Sequence, residues 1–221
     1  MERDDYIRHW NSFCGLATEL EETERFVFHG LQGDEQVGLI HADVFSDVFR
    51  QILMVTCSEF ETMSKHLCSA NGVKANNIVD ISRCILSTYP NIVNTRIYTK
   101  YGYLTPIENW KLLNGKVEGI EWWRAYTAIK HDEKGAFKKA TLENTVLALG
   151  TLYIIDLYVL KVSSGNLQLA HEFPPNYFRC EYTANYVVTS EGELPDFDNK
   201  TSDEIVKETI GKLMDKKIVD L

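Results

Sequence analysis

The chain lacks several features that mark common classes of protein. Its cysteines form no CxxC pair and have no histidine at zinc-finger spacing, which argues against a structural zinc site. An odd number of dispersed cysteines, in a chain without a signal peptide, is typical of reduced thiols. We therefore expect a cytoplasmic protein. The chain also has no internal repeat and no low-complexity tract, which excludes solenoid and fibrous architectures. The five cysteines are Cys14, Cys57, Cys68, Cys84 and Cys180.

A long uninterrupted hydrophobic run is missing as well. The most apolar stretch extends from Asn144 to Leu160, but Asp156 interrupts it. It is also shorter than the roughly 20 apolar residues that a membrane-spanning helix requires. We therefore predict a buried helix here and no membrane association.

Positive charge is scarce overall. The 23 Lys and Arg residues are outnumbered by 32 Asp and Glu, and a net charge of −9 argues against broad electrostatic coating of nucleic acid. The charge is uneven, however. Residues 62–190 contain fourteen basic and ten acidic side chains, whereas residues 1–61 contain four and thirteen and residues 191–221 contain five and nine. The central region therefore has the charge that a local anion site requires.

Hydrophobic periodicity predicts a helical core. The 221 residues suffice for one domain with a smaller appendage. Helical spacing of apolar residues predicts helices at about 42–69, 77–87, 117–131 and 136–161, within a core that spans residues 41–165. The last of these is apolar around most of its circumference, which indicates a central or interface helix. Residues 91–115 are rich in aromatic and turn-forming residues and predict an irregular, ordered excursion.

The two flanks are predicted to contain short strands. Residues 1–40 have strand-like segments at 6–10 and 25–29, so we expect a strand-rich N-terminal extension. Residues 166–221 predict a C-terminal appendage with a strand at 177–182 and a helix at 202–216, for which Ser202 is the N-cap candidate. The expected fold is mainly α, a bundle of about four to five helices with short β-strands at both flanks.

Arg124 and His131 form the most informative motif, because they are seven residues apart on a predicted helix. Seven residues are nearly two turns, so both side chains would lie on one face. Histidine transfers protons near neutral pH, and arginine binds phosphate oxygens through a planar fork of donors. The pair is therefore suited to metal-free cleavage of a phosphodiester. In the structural alternative, Arg124 pairs with Glu121 or Glu118 and His131 only caps the helix.

Three neighbours are candidates for substrate binding. Tyr126 has the chemistry to contact a base or a phosphate, although packing against the adjacent tryptophans is the favoured alternative. Lys130 and Lys134 would extend the positive surface, or would simply be the solvated end of the helix.

The residues around this motif resemble bacterial HEPN-superfamily proteins, especially those with an Arg-x(4–6)-His motif. The similarity covers roughly residues 41–165, and the segment 58–68 looks like the long first helix of one such group. The positions that carry the resemblance are Trp122, Trp123, Tyr126, Ile129, Lys130, His131, Asp132, Phe137, Ala140, Leu142, Asn144 and Leu147, with Pro106 and Trp110 upstream.

The resemblance implies a compact helical bundle, usually a homodimer in which the Arg and His of both subunits meet at a shared cleft. Many such proteins are metal-independent RNA endonucleases, often toxins or anti-phage defence effectors. On that basis His131 would transfer a proton during attack of an RNA 2′-hydroxyl on the adjacent phosphorus, and Arg124 would stabilise charge on the non-bridging oxygens. The products would carry 2′,3′-cyclic phosphates.

The same resemblance implies the partners and the supporting residues. RNA would be the substrate, a second copy the partner, and an antitoxin or regulatory protein a further partner; no metal or cofactor is expected. Glu61 is predicted to pair with Lys65, four residues later, and is a candidate to lie near the cleft. Asp132 would orient His131 or would only solvate the turn.

Two departures from the family pattern favour a second interpretation. The residue after the arginine is commonly polar in active members but is Ala125 here, and the six-residue gap is at the long end of the family's range. The alternative is a catalytically inactive HEPN-like module for dimerisation, nucleotide binding or protein interaction.

Overall fold

The structure is a computed structural model that describes residues 2–32, 38–164 and 177–180. Within these ranges five α-helices dominate, so the predicted mainly α architecture is confirmed. The helices are α1 (Arg3–Glu22), α2 (Asp47–Ala70), α3 (Ile78–Thr88), α4 (Glu121–Lys130) and α5 (Leu142–Ser164), with 3₁₀ turns at Thr23–Arg25, Pro90–Asn94 and Ala136–Lys139.

The centre of the bundle is a parallel pair formed by α2 and α5. The backbone N–H of Leu142 donates to the carbonyl of Val44 at 2.8 Å, which joins the starts of the two helices. One turn later, the hydroxyl of Thr145 lies 3.4 Å from the carbonyl of Phe49. The side chain of Ser46 caps α2 by accepting from the N–H of Phe49, and this cap explains why α2 begins later than predicted.

The helix predicted to be buried, α5, lies in the core. Residues 148–160 are all buried, because α1, α2 and α4 pack around it. By length and composition the segment Leu142–Ser163 would also suffice to cross a membrane, but 83% of its most apolar window is buried inside the protein. That burial is characteristic of a core helix.

The prediction of an N-terminal strand at residues 6–10 was wrong, because these residues belong to α1. Residues 6–10 have a strand-like composition. As part of a twenty-residue helix, however, they contribute to an apolar stripe that recurs every three or four residues and is buried. This tertiary packing outweighs the local strand propensity. The helix packs against α2 and α5, so residues 3–22 are part of the helical core rather than an extension. The buried stripe consists of Tyr6, Trp10, Phe13, Ala17 and Leu20.

The segment 25–29, predicted as a second strand, forms the end of a 3₁₀ turn and a loop. In the described part of this flank, extended pairing is confined to one β-bridge between Leu31 and Leu39.

The ordered excursion predicted at residues 91–115 is more regular than expected. Two antiparallel hairpins occupy this region, β1 (Ile97–Thr99) with β2 (Gly102–Leu104) and β3 (Lys111–Leu113) with β4 (Lys116–Glu118). The last strand extends beyond residue 115, so the helix predicted at 117–131 begins later, at Glu121. A two-residue strand, β5 (Arg179–Cys180), pairs with β1 and gives a sheet of order β2-β1-β5. This strand lies within the predicted 177–182 segment, whereas the predicted helix at 202–216 lies outside the described residues.

The helix predicted at 136–161 is two elements. Residues 136–139 form a 3₁₀ turn, and α5 begins only at Leu142. The bonds from Leu142 to Val44 and from the N–H of Ser46 to the carbonyl of Ala140 tie this junction to the start of α2. The loop between α4 and α5 is therefore fixed beside the N-terminus of α2.

Candidate functional site

The orientation of α4 is set by its aromatic face. The ring centroids of Trp122 and Trp123 lie 5.0 and 5.8 Å from that of Phe60 on α2. The buried positions of α4 are Trp122, Ala125, Tyr126 and Ala128. Because this face packs into the bundle, Arg124 and His131 are left exposed to solvent. Ala125 is buried, so a small apolar side chain at this position is explained by packing.

The guanidinium of Arg124 is held by its own segment of chain. Its Nη1 donates to Oε1 of Glu121 at 2.8 Å, and its Nη2 donates to the carbonyl of Val117 at 3.4 Å. The structural alternative of an Arg124–Glu121 pair is therefore observed. The two side chains are 56% and 66% exposed, and an ion pair this exposed contributes only about 0–1 kcal/mol. A phosphate therefore has little to overcome in displacing Glu121.

His131 is the C-cap of α4. Its backbone N–H donates to the carbonyl of Thr127 at 3.1 Å, and its backbone angles (φ −95°, ψ 10°) continue the turn of the helix. With the helical phase kept, Arg124 and His131 lie on the same side of α4, separated by about 10 Å along the axis. The imidazole is exposed to solvent.

Asp132 shapes the turn that ends α4. It has a positive φ of 51°, and the N–H of Glu133 donates to the carbonyl of Ala128 at 3.0 Å. Among the contacts of the described residues, none joins the Asp132 carboxylate to the imidazole of His131. Of the two roles predicted for Asp132, the structure thus supports the one in the turn.

Tyr126 and Lys130 lie on a different side of α4. The phenol of Tyr126 is buried and accepts a hydrogen bond from Nζ of Lys130 at 3.2 Å. This hydrogen bond raises the pKa of Lys130, with a smaller contribution from the negative charge of Glu61. Glu61 in turn accepts from Nζ of Lys65 at 2.6 Å, as predicted from their spacing. The predicted residues therefore separate into two groups, one around Arg124 and His131 and one between α4 and α2.

A positive surface follows His131 along the chain. Lys134, Lys138 and Lys139 are all exposed on the loop and 3₁₀ turn between α4 and α5. Within the ranges that the structure describes, none of the three has a carboxylate at ion-pair distance. Sequence reasoning identified Lys134 but missed the other two, although their adjacency to the motif was visible. We call these three residues the lysine surface.

An apolar strip lies beside the lysine surface. Phe45 and Phe137 contact edge to face, with centroids 5.5 Å apart, and are 42% and 40% exposed. Val44, adjacent to Phe45 in the chain, and Val48, three residues after it, are also exposed, at 38% and 46%. We call these four residues the apolar strip. Exposed apolar residues in contact with one another are typical of an interaction site.

In the described part of the chain, no group of three or more His, Cys, Asp or Glu side chains is placed to hold a metal ion. No protein-family model matches the chain, and neither a curated protein nor a solved structure is similar enough to count as a relative.

Proposed function

We propose that the protein is a metal-independent RNA endonuclease of the HEPN type that acts as a homodimer, in a phage-defence or toxin system. The observation that supports this most is the exposure of Arg124 and His131 on one side of α4, followed by the lysine surface. A fixed cation, a proton carrier and additional positive charge are what cleavage of a phosphodiester without metal requires.

In this proposal each side chain has a separate role. His131 transfers the proton as an RNA 2′-hydroxyl attacks the neighbouring phosphorus. Arg124 exchanges its exposed partner Glu121 for the non-bridging oxygens, to which its planar fork is better matched. The bond between phosphorus and the 5′-oxygen breaks, and the leaving oxygen takes a proton from the imidazole of the second copy. The product retains a 2′,3′-cyclic phosphate. Lys134, with its two lysine neighbours, attracts the RNA backbone.

The homodimer is supported by the position of the apolar strip. Phe137 is six residues beyond His131, so a second copy that covers the strip would lie next to the motif. In one protomer the two motif residues are about 10 Å apart along the helix, and a facing copy would supply a second imidazole and guanidinium.

One observation favours the alternative of an inactive HEPN-like module. Arg124 is already engaged by Glu121 and by the carbonyl of Val117, and no described side chain orients the imidazole of His131. A protein that uses α4 only as a scaffold would have this arrangement.

The test is incubation of the purified protein with mixed RNA in the presence of a chelator. We expect cleavage products that end in 2′,3′-cyclic phosphate, with loss of cleavage in Arg124→Ala and His131→Ala. Lys116→Ala is a matched control, because Lys116 is an exposed cation on β4. Cleavage that survives both motif substitutions would rule out this site, and absence of cleavage in the wild type would favour the inactive module.

A further inference from the structure

A second site lies at the opposite end of α2 from the apolar strip. The last turns of α2 and the loop that leads to α3 enclose an open cleft of about 670 Å³. Its principal lining residues are Thr62, Lys65, His66, Ser69, Val73 and Lys74. Ligand sites for small molecules typically occupy about 300–1,000 Å³, so the cleft has room for a ligand of that class.

The charges that line the cleft have one sign. Two lysines and a histidine line it, and none of its lining residues is acidic. The Nζ of Lys65 donates a hydrogen bond to Oε1 of Glu61 at 2.6 Å. Lys74 is exposed, and over residues 2–32, 38–164 and 177–180 it has no acidic partner at ion-pair distance. The cleft therefore contains an ammonium group whose charge is not balanced locally.

The hydroxyls of the cleft differ in what they offer a ligand. Thr62 already donates to the carbonyl of Ser58 at 3.0 Å. Ser69 is exposed, and no bond from its hydroxyl occurs within the part of the chain that is described. Ser69 and Lys74 together thus provide one neutral and one charged donor, which is the kind of pair that binds an anionic oxygen.

The fold also brings a histidine of α1 close to His66, which lines this cleft. The rings of His9 on α1 and His66 on α2 lie 6.3 Å apart, and Nδ1 of His9 is 2.7 Å from Oε2 of Glu59. Burial and the proximity of His9 lower the pKa of His66, whereas Asp5 opposes this shift. His66 lines the cleft together with the two lysines.

We propose that this cleft binds a small phosphorylated ligand, with the phosphate held by Lys74, Ser69 and His66 and with Lys65 available on its other side. A phosphate dianion matches the unbalanced ammonium and accepts from the serine hydroxyl. The lining residues come from α2 and the α2–α3 loop and include neither Arg124 nor His131. A neutral apolar ligand fits less well, because the polar lining groups would lose their hydration without gaining bonds.

The experiment is a calorimetric titration of the full chain with inorganic phosphate and, separately, with glycerol phosphate. Ionic strength is kept constant with chloride so that general screening does not contribute. We expect saturable binding of both probes, weakened roughly tenfold by Lys74→Ala and roughly threefold by Ser69→Ala, as loss of a charged and of a neutral hydrogen bond predicts. Both residues are exposed, so these variants should fold.

Lys116→Ala provides the control for loss of one positive charge far from the cleft in sequence. Unchanged affinity in this variant, together with weaker binding in Lys74→Ala, supports the proposal. Equal weakening in both lysine variants would show nonspecific attraction by net charge and would overturn it. Absence of saturable binding of either probe to the wild type would overturn it as well.

Discussion

The phenol oxygen of Tyr177 lies 2.7 Å from Nδ1 of His29, across 148 positions of the sequence. The other ring nitrogen, Nε2, is 2.9 Å from the hydroxyl of Thr23. Both nitrogens of this buried imidazole are thus used, and one of them connects residues 177–180 to the N-terminal part of the bundle. Burial lowers the pKa of His29 to about 4, with Glu24 opposing the shift and Lys100 adding to it.

This low pKa predicts that acid destabilises the fold through His29. The imidazole is neutral when folded but titrates near 6.5 when unfolded, so its contribution is fully present above pH 6.5 and is lost as the pH falls towards 4. Between pH 7 and pH 5 the loss should be about 2 kcal/mol. Urea denaturation of wild type and His29→Asn at the two pH values measures it. An identical pH dependence in the variant would contradict the assignment.

Asp156 should destabilise the fold as the pH rises, whereas His29 does so as the pH falls. It is fully buried in α5, neither carboxylate oxygen has a partner among the described residues, and burial raises its pKa well above the usual value, with Glu59 adding to the shift. Its contribution is greatest below the unfolded pKa and is lost as the pH rises towards the folded pKa. Asp156→Asn should therefore gain stability relative to wild type as the pH rises, by up to about 1.4 kcal/mol per unit. Urea midpoints at pH 5, 6 and 7 test this; a constant difference would count against it.

Two glycines of the β3–β4 region form a matched pair for a test of packing. Gly115 and Gly119 both have positive φ, 74° and 81°. A Cβ on Gly119 would overlap the backbone carbonyl of Asn109, whereas none of the described atoms lies within 4 Å of a Cβ on Gly115. We expect Gly115→Ala to cost about 1–2 kcal/mol from conformational strain alone. Gly119→Ala should cost roughly 4 kcal/mol or more. Thermal denaturation distinguishes these outcomes, and equal costs would refute the predicted overlap.

Release of Arg124 from its partner should favour substrate binding. Glu121→Gln removes the acidic partner of the guanidinium, and the exposed pair contributes about 0–1 kcal/mol, so RNA affinity should rise by up to roughly fivefold. The control is Glu143→Gln, which removes an exposed acid from the first turn of α5. Fluorescence anisotropy with labelled RNA measures both. If the two variants gain equally, the effect comes from net charge rather than from Arg124.

Association of two copies should depend on the apolar strip. Phe45→Asp places a charge next to Phe137 and should shift a dimer to monomer at micromolar concentration, because burial of an unpaired charge costs several kcal/mol. Phe26→Asp is the control, since Phe26 is 85% exposed and is not one of the four residues of the apolar strip. Analytical ultracentrifugation gives the masses. A dimer that persists in Phe45→Asp would place the interface elsewhere.

The helices of the core follow from local signals. For α3, Asn77 supplies an N-cap whose side chain accepts from two backbone amides, and the Asn71–Gly72 pair ends α2 where the sequence indicates. The error at α1 has a physical cause, because a five-residue window with strand-like composition does not reveal which face a twenty-residue helix buries. The three-stranded sheet is equally difficult to predict, since β1 also pairs with β5, a two-residue strand that is distant in sequence.

For the candidate site, the hydrophobic periodicity predicts which side chains of α4 are exposed and which share a side of the helix. It does not predict which residues they pack against. The spacing of Arg124 and His131 places them on one side of α4, and the Arg124–Glu121 pair was an anticipated alternative. The separation of Tyr126 and Lys130 from them follows from the same helical phase. Which of the two sides is buried depends on the contact with Phe60, which only the tertiary structure shows. The His9–Glu59 pair has no sequence signal, because it joins positions 50 residues apart on two helices.

The parallel arrangement of α2 and α5 has a consequence for synthesis of the chain. The two helices meet through residues as far apart as Phe49 and Thr145, 96 positions along the sequence. A chain that emerges from the ribosome therefore completes α2 well before the surface that covers it has been translated. Such nonlocal pairing slows folding and prolongs the exposure of nascent apolar residues.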